Sequence, residues 1–481
     1  MDVSKLLLTG TARSIGAAIA SGELTSQDAT CWYLARISRF NGGERGINAV
    51  RTISPAAMEQ AATADRELAA GRSRGPLHGV PYLLKDNVFT TDGATAAAGS
   101  RALAGFVPPY EATLVTRLRE AGAVLLGKTN LTELADFVSD VMPSEFSGAA
   151  GVVRNPLGTK YDRGQGSSVG SAAAVAARFC AFAIGTETQN SIQTPATFTS
   201  VVGFKPTVGR VSRYGVVPLA PSQDSPGPLT VCVGDADLVF GAIAGADMRD
   251  TATLLLLGDA EDAQEARKLK GVRVGIPRRF IADNVMNTGR ASAFARVLAA
   301  LSHAGAVIID PCDLPSAEQL NEVRSCVFRT EFKESLDALL GSLRPSGITS
   351  MKDLIAWNSA HPGAIPYGQS LLEAANASTG ILAPQYIHDR RHDIALALDR
   401  GILAALRAGS ADVLLAPMTA AARCTGKAGA PVIALPAGRD ASGAPFGITL
   451  FAAPGDDRVL LRIAAAIEKV IGERIEPELE D

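Results

Sequence analysis

The chain of 481 residues carries 46 Lys and Arg against 49 Asp and Glu, for a formal net charge of −3, and is 47% hydrophobic with only 5% aromatic residues. That balance excludes the basic field of a nucleic-acid or membrane-surface binder and predicts a large core of Ala, Val, Leu and Ile. Six cysteines (Cys31, Cys180, Cys232, Cys312, Cys326 and Cys424) form no Cys-x-x-Cys pair, which predicts reduced thiols in a cytoplasmic protein. The start, Met1-Asp2-Val3-Ser4-Lys5, has no basic n-region, so no signal peptide is expected. The most apolar span, Ala172–Ile184, is shorter than a bilayer crossing and holds Arg178.

In chain order, Thr11–Ala20 reads as a helix ended by Ser21-Gly22, and Ser26 is placed to cap a second one running toward Ser38. Asn48–Ile53 reads as a strand and Pro55–Ala70 as an Ala/Glu-rich helix. After Gly71, strand candidates at Val80–Leu84, Ala123–Leu126, Ala181–Ile184 and Val201–Phe204 alternate with helices at Glu111–Ala121 and Ser171–Phe179. Beyond Asp235, Val272–Ile276, Ala306–Ile309, Asp412–Leu415, Val432–Leu435 and Phe446–Phe451 read as further strands. Helices are predicted at Ala291–Ala304, Leu320–Leu340, Pro384–Arg407 and Asp457–Ile471, and the acidic tail Glu476–Asp481 is expected to fray. This alternation predicts an α/β protein whose largely buried sheet is covered by helices.

Glycines and hydroxyls concentrate between Asp162 and Pro206. Arg163-Gly164-Gln165-Gly166-Ser167-Ser168-Val169-Gly170-Ser171 opens this stretch, and Gly185-Thr186-Glu187-Thr188-Gln189-Asn190-Ser191-Ile192 follows an Ala-rich segment. Such chain turns tightly and lets backbone N–H groups approach a ligand. Upstream, Gly79-Val80-Pro81-Tyr82-Leu83-Leu84-Lys85-Asp86-Asn87 ends an apolar run on a lysine. Serine is weak as a free nucleophile, so a base must take its proton, and lysine serves only when burial or nearby cations keep it neutral. The run before Lys85 offers an apolar wall, whereas Asp86 would favour the charged amine if it pointed inward. Taken alone, Lys85 reads more simply as a surface lysine at a strand end.

Together, these pieces, with Ser191 twenty-four residues after Ser167, resemble the amidase signature family of serine hydrolases. Gly127-Lys128-Thr129-Asn130, Ser222-Gln223-Asp224-Ser225-Pro226-Gly227-Pro228 and Ala430-Pro431-Val432 extend the likeness over most of the chain. Glu331-Phe332-Lys333, Asp353–Asn358 and Tyr367-Gly368-Gln369 resemble the branch of peptide amidases and broad amidases more than the tRNA-dependent amidotransferase subunit. The resemblance implies a single large domain with a central mixed, mostly parallel sheet and helices on both faces. Within it fall an N-terminal helical segment (1–70), a signature core (71–234) and a second half (235–481) that completes the sheet and substrate pocket.

The same likeness implies cleavage of a C–N amide bond without cofactor or metal. Ser191 would be the nucleophile, Ser167, after a cis peptide, the relay, and Lys85 the base, with the N–H groups of Thr188, Gln189, Asn190 and Ser191 forming the oxyanion hole. Implied substrates are small-molecule amides or peptide C-terminal amides, with carbamates or aryl anilides as alternatives. Rival readings are a decayed binding protein and an amidotransferase subunit. No nucleic-acid or membrane partner is expected, and oligomeric state stays open, with a homodimer among the alternatives.

Three positions depart from the family pattern. Gln189-Asn190 stand where two glycines are common, Gln193 where an arginine is common, and Gln165 where a small residue is usual. Asn tolerates a positive φ better than Gln, so either Gln189 keeps a negative φ or strain is stored there.

Other motifs read more simply as structure. Gly166-Ser167-Ser168-Val169-Gly170 matches Gly-x-Ser-x-Gly, but no histidine follows in a recognisable late-strand loop, and Ser168 and Ser171 read as loop and helix-start hydroxyls. His388 and His392 have the i, i+4 spacing of a zinc helix but lack its glutamate and carry two intervening arginines, which predicts a solvated face. His78 reads as a loop-fixing side chain. Phe137, Met142 and Phe146 are candidates for the substrate pocket, with Trp357 and Tyr367 weaker ones, although such side chains are more often plain core.

Overall fold

The computed structural model describes residues 2–160, 164–255, 268–282, 286, 288–472 and 474–479. The opening of the first serine loop at Asp162 and Arg163, and the end of the acidic tail at Glu480 and Asp481, lie outside the described residues.

Among the described residues the strands are β1 (Val50–Ile53), β2 (Pro81–Lys85), β3 (Val124–Thr129), β4 (Phe146–Ser147), β5 (Gly151–Val152), β6 (Phe182–Glu187) and β7 (Val202–Lys205). They continue with β8 (Ser225–Thr230), β9 (Arg273–Gly275), β10 (Val307–Ile309), β11 (Val413–Pro417), β12 (Val432–Arg439) and β13 (Pro445–Phe451). Eleven of them form one sheet in the order β1-β3-β2-β6-β8-β7-β12-β13-β11-β9-β10, and β4 pairs with β5 alone. The sheet is mixed, as expected. Parallel pairing is confined to two blocks, β3-β2-β6 and β11-β9-β10, and the pairings between and beside those blocks are antiparallel. The expectation of a mostly parallel sheet therefore holds inside the two blocks and not across the middle.

Parallel neighbours need a crossover, and the helices Thr113–Glu120 and Val169–Ala176 supply it between β2, β3 and β6. All three of these strands are buried along their whole length, which is why they read as apolar runs rather than alternating ones. Two adjacent residues of β7 show that both faces are covered. A Cβ on Gly203 would come within 2.7 Å of Ala196 in the helix Gln193–Thr199. The ring of Phe204 packs edge-on against Phe240 of the helix Val233–Ile243 at 5.2 Å. Successive strand residues face opposite sides, so these two helices cover opposite faces.

The predicted helix over 320–340 is two, Ala317–Glu322 and Val327–Leu343: the chain leaves the first at Val323 (ψ 130°), and Asp389 accepts the N–H of Cys326, which caps the second, at 2.9 Å. The predicted Pro384–Arg407 helix runs on to Gly409 through a π-helical middle, Ala395–Ile402. A second apolar cluster, with Leu134, Met142, Phe332, Leu336 and Met351, lies apart from the main core. Among the described residues no helix is long and apolar enough to cross a membrane.

Candidate active site

Lys85 ends β2, at the edge of the apolar run, and is 0% exposed. Its Nζ donates to Ser167 Oγ at 2.8 Å, to Thr186 Oγ1 at 2.9 Å and to the Thr186 carbonyl at 3.2 Å. Burial pushes the amine down to about 7, against the pull of Glu187, Asp224 and Asp136, none of which makes an ion pair with it. Asp86 does not oppose this. It turns to Arg51, whose Nε lies 2.9 Å from Asp86 Oδ2, and it also accepts the Ala97 N–H at 3.1 Å.

Ser167 follows a cis bond from Gly166, and its carbonyl accepts the Thr132 N–H at 3.1 Å. A side chain at Gly166 would bring a Cβ within 2.1 Å of Thr132 Oγ1, so glycine is required there. Gln165 donates its N–H to Ser144 Oγ at 2.9 Å. Ser168 turns the other way: its hydroxyl donates to the Thr186 carbonyl at 3.1 Å and accepts the Thr186 N–H at 3.2 Å. Ser171 bonds the Ile184 carbonyl and Thr129 Oγ1. Both hydroxyls fasten the helix Val169–Ala176 to the sheet, as their loop and helix-start reading predicted.

Ser191 precedes the helix Gln193–Thr199, is 5% exposed, and accepts the Ser168 N–H on its carbonyl at 3.0 Å. This bond joins the two serine loops one residue past Ser167. The first N–H groups of a helix have no partner inside it. Here buried Glu187 takes those of Ile192 and Gln193 at 2.7 and 2.9 Å. Gln193, where an arginine is common, donates Nε2 to the other Glu187 oxygen at 2.5 Å. Burial raises the Glu187 carboxyl while the amine of Lys205 lowers it, so the positive charge near this carboxylate comes from β7. Gln189 and Asn190 keep φ out of the left-handed region, which answers the question their sequence posed, and Asn190 Nδ2 braces the turn on the Gly164 carbonyl at 2.7 Å. Thr188 donates its hydroxyl to Asp224 at 2.5 Å.

A cavity of about 210 Å³ opens beside Thr186 and Thr188, with Asn87, Ala135, Val217 and Asp224 also in its wall. Of the three pocket candidates, Met142 is buried and Phe137 and Phe146 are half-buried. Met142 belongs to the second apolar cluster, Phe137 packs on Phe328 and Phe332, and Phe146 meets Tyr367 edge-on at 5.0 Å. Trp357 stacks on His361 at 4.0 Å. His388 has a side chain 71% exposed beside Asp389, on the solvated face expected, and His78 accepts the Arg74 N–H at 3.1 Å within its loop. Among the described residues no three His, Cys, Asp or Glu side chains converge to hold a metal. Thr186 and Glu187 escaped the sequence reading as contact residues, although two polar residues ending the apolar strand β6 were a signal in plain view.

This architecture has known counterparts. The family model described as Amidase matches residues 28–427. The native peptide amidase from Stenotrophomonas maltophilia is 37% identical and superimposes with a TM-score of 0.90 over 98% of this chain and 99% of that one. An amidase family protein from Bacillus anthracis str. Ames is 32% identical, also at a TM-score of 0.90, over 99% and 93% of the two chains. A glutamyl-tRNA(Gln) amidotransferase subunit from Anaeromyxobacter dehalogenans is 34% identical over 96% of each chain. A fully buried lysine touching the first of two tethered serine loops, in a chain matched along most of its length, identifies this protein as a member of the amidase signature family, an amide-hydrolysing enzyme.

Proposed function

We propose that the chain cleaves linear amides through an acyl-enzyme on Ser191, with Ser167 as relay and Lys85 as base. One observation carries this reading: the Lys85 amine, wholly buried and pushed down to about 7, lies 2.8 Å from the Ser167 hydroxyl. Ser191 Oγ attacks the substrate carbonyl carbon while its proton passes to Ser167 Oγ, whose own proton passes to neutral Lys85 Nζ. Backbone N–H groups of Thr188, Gln189, Asn190 and Ser191 receive the developing oxyanion. The C–N bond then breaks, and the departing amine takes the proton back from Lys85 through Ser167. Water repeats the sequence on the ester and frees the acid.

The likeness to a peptide amidase supports small amides and peptide C-terminal amides as substrates. Carbamates and anilides pass through the same kind of tetrahedral intermediate and are the nearest alternatives. The six free thiols support a reducing, cytoplasmic setting. The 34% identity to an amidotransferase subunit favours a second reading, in which the same site releases ammonia for a partner. Glutaminase activity appearing only with co-purified partner proteins would support that second reading.

The test is Ser191→Ala with a peptide C-terminal amide as substrate. Turnover is expected to fall by about 10⁴-fold or more, and a fluorophosphonate is expected to label wild type and not the variant. Undiminished turnover by Ser191→Ala would end the proposal.

A further inference from the structure

Leu134, Ala135 and Asp136 are three consecutive non-glycine residues with φ of 46°, 59° and 73°. L-residues visit this left-handed region singly and at a cost, so a run of three is held by its surroundings, and such outliers concentrate where a site needs a group placed. The turn is anchored at both ends. On entry, the Leu134 N–H donates to the Ala98 carbonyl at 2.8 Å, and Ala98 in turn donates its N–H to the carbonyl of Asp86, the neighbour of Lys85. On exit, Asp136 Oδ2 accepts the Gly166 N–H at 3.2 Å and the Ser144 hydroxyl at 3.1 Å. Ser144 itself accepts the Gln165 N–H at 2.9 Å and also receives the Thr132 hydroxyl on its carbonyl. The turn therefore spans from the residue after Lys85 to the residue before Ser167.

We infer that Asp136 is a positioning residue of the hydrolytic site, holding the Gly166–Ser167 peptide so that the Ser167 hydroxyl stays within reach of Lys85. The inference rests on the proposed relay role of Ser167. A carboxylate oxygen with two acceptor directions suits the task, since it takes one backbone N–H and one hydroxyl at once. Among the described residues, Lys85 and Glu145 are charged groups that act on Asp136, while Glu187, Asp224 and Asp136 act on Lys85. Asp136 thus also faces the base, without touching it.

The experiment compares Asp136→Ala, Asp136→Asn and Ser167→Ala in the full chain, reading kcat, KM, the pH profile and fluorophosphonate labelling. Asp136→Ala is expected to lower kcat by about 10- to 100-fold with KM changed less than about threefold, the scale of a small misplacement in a reacting group. Asp136→Asn keeps an acceptor oxygen and is expected to restore kcat to within about fivefold of wild type, with the acid limb moved to lower pH because a negative charge near Lys85 is gone. If Asp136→Ala fails to fold, Ser144→Ala removes the hydroxyl that Asp136 accepts and is expected to lower kcat in the same direction, more weakly. Wild-type kcat in Asp136→Ala, or in Ser144→Ala where that variant stands in, overturns the inference. So does an Asp136→Asn that folds yet stays as slow as the alanine variant. Ser167→Ala separates the two readings: if it turns over normally, the relay itself is wrong, whereas if it is inactive and Asp136→Ala is normal, only the present inference fails.

Discussion

Lys85 and Lys128 sit on neighbouring parallel strands, both at 0% exposure, and yet they are different chemical objects. The register pairs Leu84 with Lys128 and Lys85 with Thr129, so the two amines leave opposite faces of the sheet. Lys128 donates to the Val88 carbonyl and stands near Asp86, which is also held by Arg51. Lys85 donates to two hydroxyls and one carbonyl. Burial pushes both amines down, Lys85 to about 7 and Lys128 to about 8. Their partners set them apart. A carbonyl accepts a proton-bearing donor but has no proton to hand on, whereas a hydroxyl both accepts and donates. A buried lysine among carbonyl and carboxylate oxygens is a fixed cation; among hydroxyls it can become a base.

The largest expected effect breaks this comparison on the Lys85 side. Lys85→Met should lower kcat/KM by about 10³-fold or more, at the upper range for loss of a general base. The same variant should be more stable at pH 7. Holding the amine near 7 rather than 10.5 costs roughly 5 kcal/mol at 1.36 kcal/mol per pH unit. Stranding the oxygens of Thr186 and Ser167 returns about 1–2 kcal/mol of that. A net gain of about 3–4 kcal/mol by urea denaturation is expected, at 25 °C. Lys128→Met should differ: activity is kept far better, and the roughly 3 kcal/mol returned by removing a depressed amine is offset by about 1–3 kcal/mol as the Val88 carbonyl and Asp86 lose a partner, so the net gain is smaller than for Lys85→Met. Equal loss of activity in both variants would erase the distinction.

A second test sharpens it through pH. Lys85 must be neutral to accept a proton, so kcat/KM should rise with pH along a limb centred near 7. For stability the sign comes from proton counting. Between the folded value near 7 and the ordinary value of 10.5, the unfolded chain binds the proton that folded Lys85 has released. Stability from this group therefore increases with pH across that window, by up to about 1.4 kcal/mol per pH unit. Lys85→Met should flatten the measured slope by that amount between pH 7 and 10, and an unchanged slope would mean the amine is not depressed.

Much of this was legible beforehand, for reasons particular to each element. The strands around Lys85 read correctly because burial on both faces leaves an unbroken apolar run, and Lys85, Ser167 and Ser191 were singled out by spacing and by likeness. β8 was not legible as a strand. Pro226 and Pro228 argue against a position inside a sheet, yet β8 lies between β6 and β7. A side chain at Gly227 would reach 2.0 Å from the Phe204 carbonyl, so this proline- and glycine-rich strand is shaped by the close approach of its neighbour. Beside the break, the Cys326 N–H is held by a carboxylate sixty-three residues away, a contact no local periodicity records. The left-handed turn at Leu134–Asp136 has no glycine or asparagine to announce it, because contacts from Ala98, Ser144 and Gly166 hold it in place.

The smallest expected effect is that of Ser168→Ala, set against its neighbour Ser167. Ser167 and Ser168 are indistinguishable by type and burial, both at 0% exposure, and Ser168 satisfies the Gly-x-Ser-x-Gly pattern that Ser167 does not. Their hydroxyls nonetheless have different neighbours. Ser168 Oγ bridges the N–H and carbonyl of Thr186, two groups of the β6 backbone that never carry a proton through the reaction. Removing that hydroxyl should cost about 1 kcal/mol in stability, the net worth of an intramolecular hydrogen bond, and leave kcat within about threefold, since the Lys85–Ser167 contact survives. Ser167→Ala removes the one hydroxyl of the first serine loop that touches the amine and should abolish most turnover, at a stability cost of the same order as Ser168→Ala. If the two variants exchanged these outcomes, so that Ser168→Ala was inactive and Ser167→Ala merely less stable, the hydroxyl next to the lysine would be a bystander and the buried amine would serve the fold instead.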